Sequence, residues 1–154
     1  MFVIFEGLDK AGKGTLEREF LKATNFKHIV IDRGPMGYMT FDRIFGRSTK
    51  LGDHGFIHYA RKITKSNDYM IVYCVVNKQV AEERLKAHGE ECQYDYEKAQ
   101  KLYRDNIHRY YRSDKVIEVD TTFLPVERCV EIIVEKLKEV CGSEYYQCKS
   151  SPRF

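Results

Sequence analysis

The apolar positions of this chain alternate between short, nearly continuous runs and longer stretches with helical spacing. Phe2-Val3-Ile4-Phe5 is the first such run, and Asp68-Tyr69-Met70-Ile71-Val72-Tyr73-Cys74-Val75-Val76 is the longest. Runs without alternation predict strands covered on both faces, since a strand with one wet face would show a period of two. Phe26 to Ile31, which stops at Asp32-Arg33-Gly34-Pro35, and Lys115 to Asp120 predict two more strands. The stretches between have a different period. Leu16 to Leu21 reads as helix, ended by Thr24-Asn25, and Asp53 to Lys65 sets Phe56, Ile57, Ala60 and Ile63 three and four apart. Lys78 to His88 predicts a helix, and a polar break over His88 to Gln93 follows. A second helix from Tyr94 to Tyr111 carries Tyr96, Ala99, Tyr103, Ile107 and Tyr110 as one stripe, read as core packing. Pro125 starts a closing helix whose buried face is Val126, Val130, Ile133, Leu137 and Val140. Met36 to Arg47 mixes aromatic and basic residues with Gly37 and Gly46, which predicts an irregular helix or loop beside a cleft. From Cys141 to Phe154 the pattern disappears, so a domain of residues 1–140 with a mobile tail over 141–154 is expected.

Strands alternating with helices predict an α/β domain with a mainly parallel sheet of about four strands, helices on both faces and no second domain. About a dozen residues of helix and turn join the first two strands, enough for a parallel crossover. In such sheets ligands bind beyond the carboxyl ends of the strands, where strand order reverses. Asp9, Asp32, Arg33 and Thr121 all lie just past strand ends, so they can converge on one cleft.

Bulk properties narrow the classes further. The 154 residues carry a formal charge of +3, compatible with anionic substrates and no argument by itself for nucleic-acid binding. No run of eighteen apolar residues exists, so no membrane span is expected, and the opening strand has none of the flanks of a signal peptide. Five scattered cysteines without a C-x-x-C pair point to a reducing, cytoplasmic context, with Cys74 and Cys129 as buried thiols.

The chemistry is concentrated where the first strand meets the first helix. Gly7, Gly12 and Lys13 satisfy G-x-x-x-x-G-K. Glycines at these places let successive backbone N–H groups turn into one concavity, where the positive end of a helix dipole also favours an anion. Lys13 adds a point charge for the outer phosphates. The loop Gly7, Asp9, Lys10, Ala11, Gly12, Lys13, Gly14, Thr15 is therefore the expected ATP-binding segment. Gly14 stands where Ser or Thr usually follows the lysine, and Thr15 comes one later.

The stretch Phe5-Glu6-Gly7-Leu8-Asp9-Lys10-Ala11-Gly12-Lys13-Gly14-Thr15, followed by a strand ending in Asp32-Arg33, resembles the thymidylate-kinase-like branch of P-loop nucleotide kinases. Val75 to Arg84 is similar to that family's strand and helix before the lid, and Val116-Ile117-Glu118-Val119-Asp120-Thr121-Thr122 to its final strand and adenine-side loop. The likeness covers most of residues 1 to 140. It implies a P-loop three-layer sandwich, ATP and Mg²⁺ as cofactors, and phosphoryl transfer to a nucleotide, a deoxynucleoside monophosphate first. It implies Asp9 at the acceptor sugar, Arg33 on the acceptor phosphate, Asp32 and Thr15 toward Mg²⁺, Thr121 at the adenine, and Lys10 as a second cation where the lid break has no arginine. A compact member of this kind looks like a virus-encoded or otherwise diverged kinase.

The chain departs from that family in omitting the strand and helices that carry much of the nucleobase pocket, and in placing Gly34-Pro35 after Asp32-Arg33. Two acceptor alternatives stay open: a nucleoside or modified base, or a polynucleotide 5′ end. A regulatory ATP-binding domain without kinase activity is a further reading, though a binder alone needs only Gly7, Gly12 and Lys13. Arg43 and Arg47 are candidate acceptor-phosphate ligands if their segment is helical. His54 and His58 read as an exposed helix face, and Lys98, Lys101, Arg104, Arg109 and Arg112 as a solvated basic face, with nucleic acid the less favoured partner. A homodimer stays open.

Overall fold

Each apolar run ends at a helix-starting loop, and the fold follows from that repetition. The computed structural model describes residues 1–47 and 52–142. In chain order the elements are β1 (Phe2–Glu6), α1 (Lys13–Ala23), β2 (Ile29–Asp32), α2 (Pro35–Ile44), α3 (Gly52–Ser66), β3 (Tyr69–Val75), α4 (Lys78–Ala87), α5 (Tyr96–Tyr110), β4 (Val116–Asp120) and α6 (Val126–Cys141). A single 3₁₀ turn, Ser113–Lys115, leads into β4.

The four strands form one parallel sheet in the order β2-β1-β3-β4. Phe2 pairs with Ile29 on one side and with Tyr69 on the other, and Ile71 pairs with Val116. All seven residues of β3 are buried, as a strand flanked by neighbours and covered above and below must be. On one face Phe5 meets Phe20 of α1 edge to face, ring centres 5.9 Å apart, and α1 packs along α6. On the other, Tyr73 meets Tyr103 of α5 at 5.5 Å, with α2 wedged between α3 and α5. Phe20, fully buried, ties the first helix to the sheet; truncating it to alanine would cost about 3–5 kcal/mol. The chain is thus a three-layer α/β domain.

Strand order reverses at β1, whose neighbours β2 and β3 lie on opposite sides. The loop after β1 therefore opens at the switch point, where backbone groups face no further strand.

Four expectations are corrected. Met36 to Arg47 is no irregular segment: α2 is a regular helix over Pro35–Ile44, started by Pro35, whose fixed φ and missing N–H suit a first turn. Gly37 sits inside it for want of space, as described below. The second strand begins at Ile29 rather than Phe26, because Asn25 and Phe26 take positive φ values of 51° and 55° and form the turn that ends α1. Pro125 precedes α6 as its cap residue rather than its first helical one. The expected tail from Cys141 loses that residue to α6; positions 143–154 lie outside the described residues. No helix among the described residues is long and apolar enough to cross a membrane.

Candidate active site

The loop between β1 and α1 is held by its own contacts. Gly7 has φ 142°, and a Cβ there would run into the Cys74 carbonyl of β3, so the loop leaves the sheet by a path closed to other residues. Gly12 caps α1 in the left-handed region, without a side-chain cap and with no acidic residue in the first turn. The amides at this helix start are left to meet an anion. Lys13 folds back, its Nζ donating to Gly7 O at 2.8 Å and Leu8 O at 2.9 Å. Burial, then the nearby Arg33 charge, lowers its pKa. Two cations that already repel each other mark a place prepared for negative charge.

Around this loop lies a cavity of about 810 Å³. Asp9, Lys10, Gly12, Lys13, Gly14, Thr15, Asp32, Arg33 and Thr121 all border it, drawn from the ends of β1, β2 and β4. Arg33 Nη2 donates to Asp9 Oδ1 at 2.9 Å, and its guanidinium lies 4.5 Å over the Phe41 ring. That places a planar donor fork at the junction of the phosphate loop with α2. Lys10, with φ 63°, sends its ammonium to Glu90 Oε1 at 2.9 Å. Thr121, buried, has its Oγ1 3.1 Å from Ala11 O and 3.3 Å from Val75 O, tying the β4 loop to the phosphate loop.

Other expected site residues are placed elsewhere. Gly7 and Ala11 are buried in the loop's frame and do not border the cavity; the Ala11 amide is turned to Leu8 O at 3.3 Å. Arg43 points to Asp53 Oδ2 (3.1 and 2.8 Å) and Asn106 Oδ1 (3.3 Å), and the Arg47 guanidinium lies 4.7 Å over Phe45. Neither borders the cavity. His54 and His58 are exposed, and no group of three or more metal-ligating side chains occurs among the described residues. Of the basic residues of α5 and its end, Lys98 pairs with Asp95, Arg104 with Glu118 and Arg112 with Asp114.

The structure adds residues that sequence reading passed over. Arg84 of α4 reaches into the cavity, its Nη1 donating to Lys10 O at 2.8 Å and Thr121 Oγ1 at 3.1 Å, its Nη2 to Thr121 O at 2.7 Å. His88 and Glu90 border the same space. The available signal was the spacing: Arg84 and His88, four apart, share one helix face. Glu17, one turn into α1, is the second addition. Its pKa is raised to about 7, by burial first and then by the adjacent Asp32 carboxylate.

These side chains fit a divalent cation. Glu17 Oε1 is buried with no hydrogen-bond partner and lies against the Asp32 carboxylate, which borders the cavity together with the exposed Thr15. Mg²⁺ keeps several waters and needs only one or two carboxylates beside substrate phosphates, so so sparse a set is the kind it uses.

No family model and no curated protein matches the chain. Solved structures do. The chain is similar to the YorR protein of Bacillus subtilis, determined in complex with phosphorylated GDP, with a TM-score of 0.72 and 16% identity over 90% of this chain and 96% of that one. It is also similar to a deoxyadenosine kinase of M. mycoides determined with the products dCMP and dCDP, with a TM-score of 0.60 and 18% identity over 90% of this chain and 99% of that one. At such identities the likeness is one of fold: a P-loop three-layer α/β domain.

Proposed function

We propose that the protein is an ATP- and Mg²⁺-dependent kinase that transfers a phosphoryl group to a nucleotide, most directly a deoxynucleoside monophosphate. The observation that carries this reading is the meeting of Lys13, Lys10, Arg33 and Asp9 on one cavity at an uncapped helix start. Transfer between two polyanions is catalysed mainly by positioning and by cations set where charge develops. Lys13 and the α1 amides would hold the donor phosphates. Arg33 would hold the acceptor, Asp9 its sugar, and Lys10 the transferring group once released from Glu90. Thr15, Asp32 and Glu17 are the residues that would hold Mg²⁺, whose chemistry is to neutralise the donor phosphates. A fold shared with a deoxyadenosine kinase supports this class of reaction.

A second acceptor is favoured by one contact. Arg33 is already neutralised by Asp9 and stacked on Phe41, an arrangement that also suits an uncharged nucleoside. A polynucleotide acceptor is less supported, because Arg104, Lys98 and Arg112 are engaged by carboxylates of this chain.

An acceptor screen with γ-labelled ATP tests the reading, using deoxynucleosides, their monophosphates and 5′-hydroxyl oligonucleotides. Label on a monophosphate, lost in Arg33→Ala with ATP binding kept, is the expected result. Label on nucleosides alone moves the assignment to the second acceptor, and label on none overturns the kinase.

A further inference from the structure

Glu6, a carboxylate beside the phosphate loop, does not border its cavity. It ends β1 and is 0% exposed, yet it is not orphaned. The Tyr103 hydroxyl donates to its Oε2 at 2.5 Å, the Gly37 amide to the same oxygen at 3.1 Å, and the Tyr111 hydroxyl to Oε1 at 3.4 Å. The amides of Gly34 and Met36 face it as well. Two of these donors, the Met36 and Gly37 amides, are the first amides of α2, and Gly34 is its cap residue. That helix has no side-chain cap of its own and no acidic residue in its first turn, so a residue of β1 caps it from outside.

The neighbouring glycines are explained by the same carboxylate. A Cβ at Gly34 would sit 2.6 Å from Glu6 Oε1. One at Gly37 would sit 3.0 Å from Glu6 Oε2, 2.5 Å from the Tyr103 hydroxyl and 2.6 Å from Arg33 Cγ. Both glycines of Arg33-Gly34-Pro35-Met36-Gly37 thus leave the room that Glu6, Tyr103 and the Arg33 stem fill. Arg33 itself, with φ 61°, is in the left-handed region that costs a non-glycine residue about 1 kcal/mol or more. Such a conformation persists only where the surroundings impose it. Its amide donates to Phe5 O at 2.9 Å, so β1 grips Arg33 from one side while Glu6 grips Gly34 and the start of α2 from the other.

We infer that Glu6 is a positioning residue for the acceptor site: by fixing the turn from Arg33 to Gly37 it holds the Arg33 guanidinium against Asp9. Glu6 touches no substrate and acts only through that turn. The kinetic part of this inference rests on the kinase reading; the geometric part does not.

The test uses the full chain with Glu6→Gln, which keeps the shape and removes two acceptor lone pairs, and Tyr103→Phe, which removes the 2.5 Å contact and keeps the carboxylate. In crystal structures of both, the Arg33–Asp9 pair should open past hydrogen-bond range. In steady-state assays the acceptor KM should rise roughly tenfold or more, with the ATP KM within about twofold. An Arg33–Asp9 pair that stays closed, or constants for ATP and acceptor that rise together, reduces Glu6 to a stabilising cap and overturns the inference. Should Glu6→Gln fail to fold, Tyr103→Phe decides by the same criteria. Should the unaltered chain phosphorylate no acceptor, the kinase reading fails and the crystallographic arm alone decides.

Discussion

Lys10 and Glu90 close the cleft over the phosphate loop with a 2.9 Å ion pair between residues eighty positions apart. The Lys10 side chain is 22% exposed and that of Glu90 53%, so the acid is the partner a polyanion can displace. Lys10→Ala should lower kcat by roughly 1–3 kcal/mol in barrier terms, with ATP binding changed much less. Glu90→Gln should keep kcat within about threefold and leave the ATP KM within about twofold, since the cation it frees acts on the transferring group rather than on bound ATP. Lys86→Ala is the control, an exposed residue that does not border the cavity. Steady-state kinetics on the three variants checks this, and a larger loss for Lys86→Ala would refute the role of Lys10.

Lys13→Ala should remove at least about a hundredfold of turnover, on the order of 3 kcal/mol of transition-state stabilisation. The substitution also deprives Gly7 O and Leu8 O, both buried, of their donor, but Lys13 borders the cavity, so the space its side chain leaves is open to water that can meet them. Circular dichroism and a melting curve should therefore stay close to those of the unaltered chain. Retained turnover in that folded variant would dismiss the phosphate-loop assignment.

Arg84→Ala should raise the ATP KM about tenfold and lower the melting temperature by a few degrees, because one guanidinium joins α4, the phosphate loop and the β4 loop. Arg84→Lys should rescue little of either, since an ammonium cannot present the planar fork that spans Lys10 O and Thr121 O. Full rescue by lysine would mean that charge alone matters there.

Glu6 makes stability depend on pH in the direction opposite to that of a salt-bridged acid. Burial holds its pKa at about 7, above the ordinary 4.5, while Tyr103 and the α2 amides pull it down. Between those values the folded chain keeps a proton that the unfolded chain has lost, so stability falls as pH rises from 4.5 to about 7. The span amounts to on the order of 3 kcal/mol. Glu6→Gln does not titrate. Urea midpoints of the two chains should therefore converge or cross over this window and run parallel outside it. A difference that ignores pH would show Glu6 ionised throughout.

The strands and most helices were legible because burial on both faces leaves an unbroken apolar run, and because the helices keep a 3–4 spacing. The phosphate loop was legible because its glycines and lysine are adjacent in sequence. What stayed hidden depends on distance along the chain. Gly37 looked like a helix breaker, since nothing local shows that Glu6 and Tyr103 fill the space a side chain would need. Arg84 was only a position on the predicted helix from Lys78 to His88 until the fold brought it to Thr121. Arg43 and Arg47 looked like phosphate ligands, but Asp53 and Phe45 take them. Glu6 was the readable exception passed over: a carboxylate inside a run of buried strand residues requires a stated partner.

The sheet order has a kinetic side. Every strand pair here is parallel, so each spans a helix, and the inner pair joins Phe2 to Tyr69. Chains whose pairings are this remote in sequence fold slowly, because loop closure must precede the contacts that reward it. The Gly7 turn takes its shape against Cys74, within β3. During synthesis the phosphate loop therefore leaves the ribosome early yet waits for β3 before it can form, and until then Phe2 to Phe5 is an unpaired sticky segment. An anion held by that loop could steady the fold only late, after its slowest contacts are made.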